Sequence, residues 1–182
     1  MPKTIKPQLA TLVSEPPQGD GWLHELKFDG YRILARCDDK VRLFTRRGND
    51  WTDRFPAVVH ALGKLNLRGT MLDGEVVVLD PQGRSDFQAL QNMLNSSEPR
   101  KLIYYVFDVP YASGFDLSRT PQIDRKEILR QLLSSQKSES LIRFSDHIRG
   151  QGSNVADLAC QHALEGVVCK RVDAPYEQCR SR

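Results

Sequence analysis

Apolar and polar residues alternate along much of the chain in short runs of strand length. Such runs predict strands at 22–28, 31–37, 41–45, 71–79, 102–109, 141–144 and 166–171. The first three runs follow one another directly, with Asp29-Gly30 and Asp38-Asp39 as turn residues between them. The pattern therefore predicts that the chain begins its sheet as an antiparallel meander.

Helical spacing of apolar residues appears between the strand-like runs. It predicts helices at 56–65, from Ser85 or Asp86 to 94, at 121–133 and at 154–164. The third helix has the clearest pattern, with an apolar stripe of Ile123, Ile128, Leu129, Leu132 and Leu133. Lys126, Glu127 and Arg130 fall off that stripe, which predicts that they face solvent.

The predicted elements form one α+β domain in which helices cover antiparallel strands. Residues 1–20 contain four of the ten prolines and are predicted to be an irregular lead-in anchored by Leu9 and Leu12. Residues 21–182 carry the alternating elements without an internal repeat or a linker. A chain of 182 residues is long enough to bury one core without disulfides or metals.

Composition narrows the class of protein. The chain is 40% hydrophobic and 27% charged, which is ordinary for a soluble domain. Apolar runs such as 76–79 are far too short to cross a bilayer, and the N-terminus has no apolar segment typical of a secretory signal. We therefore predict a cytoplasmic protein.

Metal-site and charge signals are weak. The four cysteines and four histidines are scattered and form no zinc-binding spacing. The net charge of +3 permits binding to nucleic acid without requiring it.

A specific chemistry first appears in the segment Glu25-Leu26-Lys27-Phe28-Asp29-Gly30-Tyr31-Arg32. A lysine at the end of a strand is usually a solvated side chain. It can also act as a nucleophile, because a deprotonated ε-amine attacks phosphorus to give a covalent phosphoramide. Alone, the segment does not decide between these two roles.

Four further elements follow along the chain, at Arg46-Arg47-Gly48, Asp73-Gly74-Glu75, Phe107-Asp108 and Glu165-Gly166-Val167-Val168-Cys169-Lys170. Each element alone is compatible with a turn or a buried strand. In this order, the five elements resemble the motif series of covalent nucleotidyltransferases, which comprise ATP-dependent DNA ligases, RNA ligases and messenger-RNA capping enzymes. Flanking segments such as Trp22-Leu23-His24-Glu25 look most like the bacterial ATP-dependent ligases of non-homologous end joining.

The resemblance implies an α+β fold of antiparallel sheets flanked by helices, similar to ATP-grasp proteins. It also implies a reaction in which ATP, with Mg²⁺ or Mn²⁺, transfers AMP to Lys27 as the first step of DNA strand joining in repair. Lys170 is then expected to face the phosphates, and Glu165 to bind the metal or its waters. Cations at the phosphates fit this chemistry because they neutralise the anionic transition state.

The same resemblance assigns residues to the nucleoside. Glu25 and Arg32 are expected to help hold the adenine and ribose, and Arg47 to contact the ribose or DNA. Glu75 is expected to accept hydrogen bonds from the ribose hydroxyls. Phe107 is expected to stack on the purine.

The chain departs from the family pattern at its C-terminus, because it ends before a W-x-K-x-K element and an oligonucleotide-binding (OB-fold) domain. We therefore predict that this chain binds ATP, is impaired in self-adenylylation and does not seal nicks. We also predict that the missing strand leaves a sheet edge exposed to self-association.

The expected partners are nicked or broken double-stranded DNA, an OB-fold domain and end-joining repair proteins. Arg46, Arg47 and Arg54 are candidates for contacts with the DNA backbone. Two alternative functions remain open at this point. The chain could be an RNA ligase or capping-type enzyme, or a non-catalytic module that binds nucleotide or nicked DNA.

Overall fold

The structure is a computed structural model that describes residues 1–95 and 101–180. Within these residues, the strands are β1 (Trp22–Leu26), β2 (Tyr31–Cys37), β3 (Val41–Thr45), β4 (Thr70–Val78), β5 (Leu102–Ala112), β6 (Phe115–Asp116), β7 (Ile142–Phe144), β8 (Ile148–Arg149) and β9 (Val167–Arg171). The α-helices are α1 (Pro56–Gly63), α2 (Phe87–Asn95), α3 (Gln122–Leu132) and α4 (Gly152–Gln161). A short 3₁₀ helix at Thr52–Arg54 precedes α1.

The strands form two sheets. The larger has the order β3-β2-β4-β5-β6, and β7 also pairs with β5. The smaller has the order β8-β1-β9. All pairings between these strands are antiparallel except β5 with β7, which is parallel. The predicted α+β fold of antiparallel sheets and helices is confirmed.

The predicted meander of the first three strands is wrong at its first strand. β1 pairs with β8 and β9 in the smaller sheet, whereas β2 and β3 form a hairpin in the larger sheet. The Asp29-Gly30 segment is therefore a link between two sheets. Gly30 passes so close to β4 that a Cβ there would lie 2.2 Å from the carbonyl oxygen of Val76. Only glycine fits this crossing, and periodicity alone cannot show it.

The main apolar core lies against the larger sheet. β4 is buried along nearly its whole length, and the helices α1, α2 and α3 contribute apolar side chains to the same cluster. Tyr104 of β5 is fully buried and donates a hydrogen bond to the carbonyl of Ile33 at 2.9 Å. Asp86 caps α2, since its carboxylate accepts a hydrogen bond from the backbone N–H of Ala89 at 2.8 Å.

The two ends of the described chain lie together. The N–H of Leu9 donates to the carbonyl of Cys179 at 3.0 Å, and Ile5 packs in a small buried cluster with Tyr176. Leu12 is 94% exposed, so its predicted role as an anchor is wrong, and Ile5 takes that role. Among the described strands, β9 pairs only with β1 and forms an edge of the smaller sheet, so self-association through that edge stays a prediction.

None of the helices in the described ranges is both long and apolar enough to cross a membrane.

Candidate active-site cleft

A cavity of about 910 Å³ lies between the two sheets. Its walls come from β1 and β9 on one side, from β2, β4 and β5 on the other, and from residues near both ends of the described chain. Six of the predicted site residues line it: Glu25, Lys27, Arg32, Glu75, Phe107 and Lys170. Glu165 reaches the same place through its contact with Lys27, whereas Arg47 is not among the lining residues.

Lys27 follows β1 at the point where the chain leaves the smaller sheet. Its backbone N–H donates to the carbonyl of Gly166 at 2.9 Å, which holds this segment beside the start of β9. Its ammonium forms an ion pair with Glu165, and the side chain is 47% exposed. The neighbouring Phe28 ring stacks on Tyr105 of β5 with the centroids 4.1 Å apart, so both sheets hold the segment. The nucleophile candidate therefore opens into the cleft and not away from it.

Arg32 is held by Asp73, the first residue of the Asp73-Gly74-Glu75 element. Its guanidinium makes two hydrogen bonds to the Asp73 carboxylate, at 2.6 and 2.7 Å. Burial alone lowers the pKa of Arg32, but the Asp73 carboxylate outweighs that effect and raises it. The hydroxyl of Tyr176 donates to the same carboxylate at 2.6 Å. Sequence reasoning gave no role to Asp73 or Tyr176, which orient Arg32 in the cleft.

The ring of Phe107 has cations over it. The Arg32 guanidinium carbon lies 4.4 Å from the ring centroid, and the Lys170 ammonium lies 4.8 Å from it. A planar group that stacks on this ring would share its surroundings with both cations.

Glu75 lies opposite Arg32 in the β2–β4 register and is half-buried. Burial raises the pKa of Glu75 to about 7, against the opposing effect of the Arg32 guanidinium. The nearby Asp73 carboxylate adds to the rise, whereas Lys27 opposes it. Glu75 therefore changes its charge near neutral pH, which is unusual for a glutamate.

Helix α3 places two buried cations under the cleft. Arg125 and Lys126 are both 0% exposed, so the predicted solvent position of Lys126 is wrong. The ammonium of Lys126 lies 3.3 Å from the carboxylate of Glu25, which also pairs with Lys170 at 2.9 Å. Gln122, Arg125, Lys126 and Leu129 share one buried stripe of the helix, which the apolar pattern does not mark.

The guanidinium of Arg125 donates hydrogen bonds to several acceptors inside the protein. It makes two hydrogen bonds to the Asp108 carboxylate, at 2.8 and 3.0 Å, and others to the carbonyls of Thr120 and Ala174. Burial alone raises the pKa of Asp108, but the hydrogen bonds from Arg125 hold it below its ordinary value. The pair ties β5 to α3 and to the segment that follows β9. Asp108 thus anchors the strand that carries Phe107 to helix α3.

The basic turn after β3 lies at the mouth of the cleft. Arg46 and Arg47 are both exposed, and Arg46 lines the cavity. Gly48 completes the turn with φ +82°, a conformation that suits glycine. Within residues 1–95 and 101–180, neither Arg46 nor Arg47 forms an ion pair, so the charge of the turn is available for contact with a phosphate.

The side chains of the cleft suit a metal ion that binds together with phosphates. Within residues 1–95 and 101–180, no group of three or more His, Cys, Asp or Glu side chains could hold an ion by itself. Mg²⁺ commonly takes one or two carboxylates, several waters and substrate phosphates. Glu165 could supply one such carboxylate beside Lys27.

Comparisons with known proteins agree with this geometry. The sequence profile described as the ATP dependent DNA ligase domain matches residues 5–182. The chain is 44% identical to the multifunctional non-homologous end joining protein LigD of Pseudomonas aeruginosa, over 100% of this chain and 21% of that protein. It is 34% identical to the SPbeta prophage-derived DNA ligase-like protein LigB of Bacillus subtilis, over 95% of this chain and 63% of that protein. The chain thus spans less than two thirds of either relative.

Solved structures give the same result. The mycobacterial DNA ligase D complexed with ATP and MES has a TM-score of 0.83 and 31% identity, covering 97% of this chain and 57% of that one. The ligase domain of LigD from M. tuberculosis also has a TM-score of 0.83, with 30% identity over 97% of this chain and 58% of that one. The Chlorella virus DNA ligase-adenylate, at 20% identity and a TM-score of 0.67, shares the fold.

Proposed function

The chain belongs to the ATP-dependent DNA ligase domain family, and on that premise we propose that its cleft binds ATP and that Lys27 accepts AMP. Within that family it is an adenylation domain similar to the ligase domains of LigD proteins. The observation that carries the proposal is the position of Lys27. Its amine lies at an ion pair with Glu165, at the rim of a cavity that Glu75 and Phe107 also line.

In the proposed step, AMP moves from ATP to the amine of Lys27. The Lys27 ammonium gives up a proton, for which the contacting carboxylate of Glu165 is an acceptor. The free amine attacks the α-phosphorus of ATP, an N–P bond forms, and the bond from phosphorus to the pyrophosphate oxygen breaks. The lysine thus becomes a phosphoramidate, and pyrophosphate leaves with the electron pair of the broken bond.

The surrounding side chains suit the charges of this step. Lys170 lines the cavity, and we propose that it neutralises phosphate oxygens. A divalent metal held by Glu165 would add positive charge at the same oxygens. Glu75 and Arg32 also line the cavity, and we propose that they hold the ribose, with the purine on Phe107.

In the whole ligase, we propose that the adenylate passes to a 5′-phosphate in nicked or broken DNA. The basic turn at Arg46 and Arg47 supports contact with the DNA backbone. The end-joining relatives support a role in double-strand break repair, and a bacterial cytoplasmic location follows from that role.

The test is the mass of the chain after long incubation with ATP and Mg²⁺. We expect one adenylate on the peptide that contains Lys27, none on Lys27→Ala, and unchanged labelling of the surface variant Lys64→Ala. The adduct should be lost in acid, because phosphoramidates are acid-labile, and GTP should give no adduct.

Two results would support the alternative functions. Labelling by GTP as readily as by ATP indicates a capping-type enzyme. ATP binding by calorimetry without any adduct, even after long incubation, indicates a non-catalytic binding module.

A further inference from the structure

One buried carboxylate in the cleft is shared by two lysines. The Glu25 carboxylate lies 2.9 Å from the ammonium of Lys170 and 3.3 Å from that of Lys126. Glu25 is 3% exposed, and its side chain lies on the wall of the cavity. A single negative charge therefore has two counter-ions, one more than neutrality requires.

The two lysines differ in access. Lys126 comes from α3, is fully buried and is not among the residues that line the cavity. Lys170 comes from β9, lines the cavity and keeps 18% of its side chain exposed. A ligand in the cleft can therefore contact Lys170, while Lys126 stays behind the wall.

Lys126 is fixed by contacts that a ligand does not reach. Its ammonium donates a hydrogen bond to the carbonyl of Ser145 at 2.5 Å and lies 4.4 Å from the centroid of the Phe144 ring. Burial lowers the pKa of Lys126 to about 8, although the Glu25 carboxylate opposes that effect. The side chain is thus still largely protonated at neutral pH.

Lys170 is held by residues that themselves line the cavity. Besides Glu25, its ammonium lies 3.5 Å from the carbonyl of Phe107 and faces the ring of that residue. A purine that approaches the Phe107 ring competes with Lys170 for this space. Anionic phosphates in the cleft offer Lys170 a new partner at the same time.

If Lys170 left and Glu25 had no other partner, a buried carboxylate would remain without a counter-ion, which is strongly unfavourable. We propose that Lys126 is a positioning residue that stays with Glu25 as a fixed counter-ion, so that Lys170 can exchange Glu25 for the phosphates of the bound nucleotide. This inference rests on the proposed function, in which Lys170 faces those phosphates.

The test compares the affinities of ATP and adenosine for the same protein. Calorimetry with ATP in the absence of divalent metal measures binding without AMP transfer. The dissociation constant of adenosine divided by that of ATP reports how much the phosphates contribute to affinity. We expect Lys126→Met to reduce this ratio about fivefold or more, towards the value of Lys170→Met, because Lys170 is then needed at Glu25.

Two matched variants complete the set. Arg130→Met removes a cation from the exposed face of the same helix and should leave the ratio unchanged. Lys126→Met with Glu25→Gln removes both the fixed counter-ion and the charge that needs it, and should restore the ratio. An equal loss of affinity for ATP and adenosine in Lys126→Met overturns the inference, because it indicates a role in folding alone.

A second measurement needs no variant. In a crystal structure of the wild-type chain with ATP, the Lys170 ammonium should lie beyond hydrogen-bond distance of Glu25, while Lys126 keeps its contact. Lys170 remaining on Glu25 with ATP bound overturns the inference. Failure of the wild-type chain to bind either ligand counts against the proposed function instead, so the two failures are distinguishable.

Discussion

The space between the larger sheet and helices α1 and α2 is filled by apolar side chains, whereas the space between β1, β5, β9 and α3 contains ion pairs. In the first region, residues such as Val58 and Leu62 are fully buried beside β3 and β5. In the second, Arg125 with Asp108 and Lys126 with Glu25 occupy the interior. In the apolar region, each buried side chain contributes to the stability of the fold by itself. In the charged region, a side chain contributes only when its partner is present.

The largest expected effect comes from breaking one buried pair. Arg125→Met should lower the free energy of unfolding by about 3–5 kcal/mol, because it leaves Asp108 as an unpaired buried charge. Leu62→Ala in the apolar region should cost about 2–5 kcal/mol, from lost burial and a residual cavity. Urea denaturation measures both values.

The double variants separate the two regions. Adding Asp108→Leu to Arg125→Met should recover much of the lost stability, since no unpaired charge remains. Adding Val58→Ala to Leu62→Ala should lower stability further. If Arg125→Met lowers the free energy of unfolding by less than about 1 kcal/mol, the charged region does not depend on ion pairing, and the proposed difference between the two regions is wrong.

A smaller effect is expected from the proton on Glu75. With a pKa of about 7, Glu75 is mostly protonated at pH 6 and mostly ionised at pH 8. The ionised carboxylate is the better acceptor for ribose hydroxyls, so the affinity for adenosine should rise up to roughly tenfold between those pH values. Calorimetry with adenosine avoids the titration of the ATP phosphates.

The variant Glu75→Gln should bind with nearly no pH dependence over the same range. It retains an acceptor for the hydroxyls and removes the titrating group. An unchanged pH profile in this variant assigns the dependence to another group and removes Glu75 from the proposed ribose site.

The smallest effect on stability is expected from exposed charges. Arg46→Ala and Arg47→Ala should change the free energy of unfolding by no more than about 0.5 kcal/mol, in contrast to Arg125. Each should nevertheless lower the salt dependence of binding to nicked DNA by about one unit in the log–log slope, if it contacts a phosphate. Of these two residues, only Arg46 lines the cavity. If the salt dependence falls for Arg46→Ala but not for Arg47→Ala, the predicted contact with DNA lies at Arg46 and not at Arg47.

Secondary structure could be predicted from the sequence where buried positions repeat with the period of a strand or a helix. The strand run at 71–79, the helix near 56–65 and the cap at Asp86 are close to what the structure has, because local pattern and tertiary packing agree there. Six of the eight predicted site residues also share one cavity, and a seventh pairs with Lys27. Their motif order, not their chemistry, made that prediction feasible.

Long-range pairing was not accessible in the same way. The assignment of β1 to a different sheet from β2 depends on β9, which lies far along the chain. The burial of Lys126 depends on Glu25 and Ser145, which come from other elements. Where a charge is buried because of distant partners, an amphipathic pattern assigns it to solvent by default.

The joined ends of the described chain have a consequence for biosynthesis. Lys27 leaves the ribosome early, whereas Tyr176 and Cys179, which line the same cavity, leave it late. A nascent chain therefore carries Lys27 long before the residues that complete the cavity have been made. We expect nucleotide binding only after Tyr176 and Cys179 have joined the folded chain.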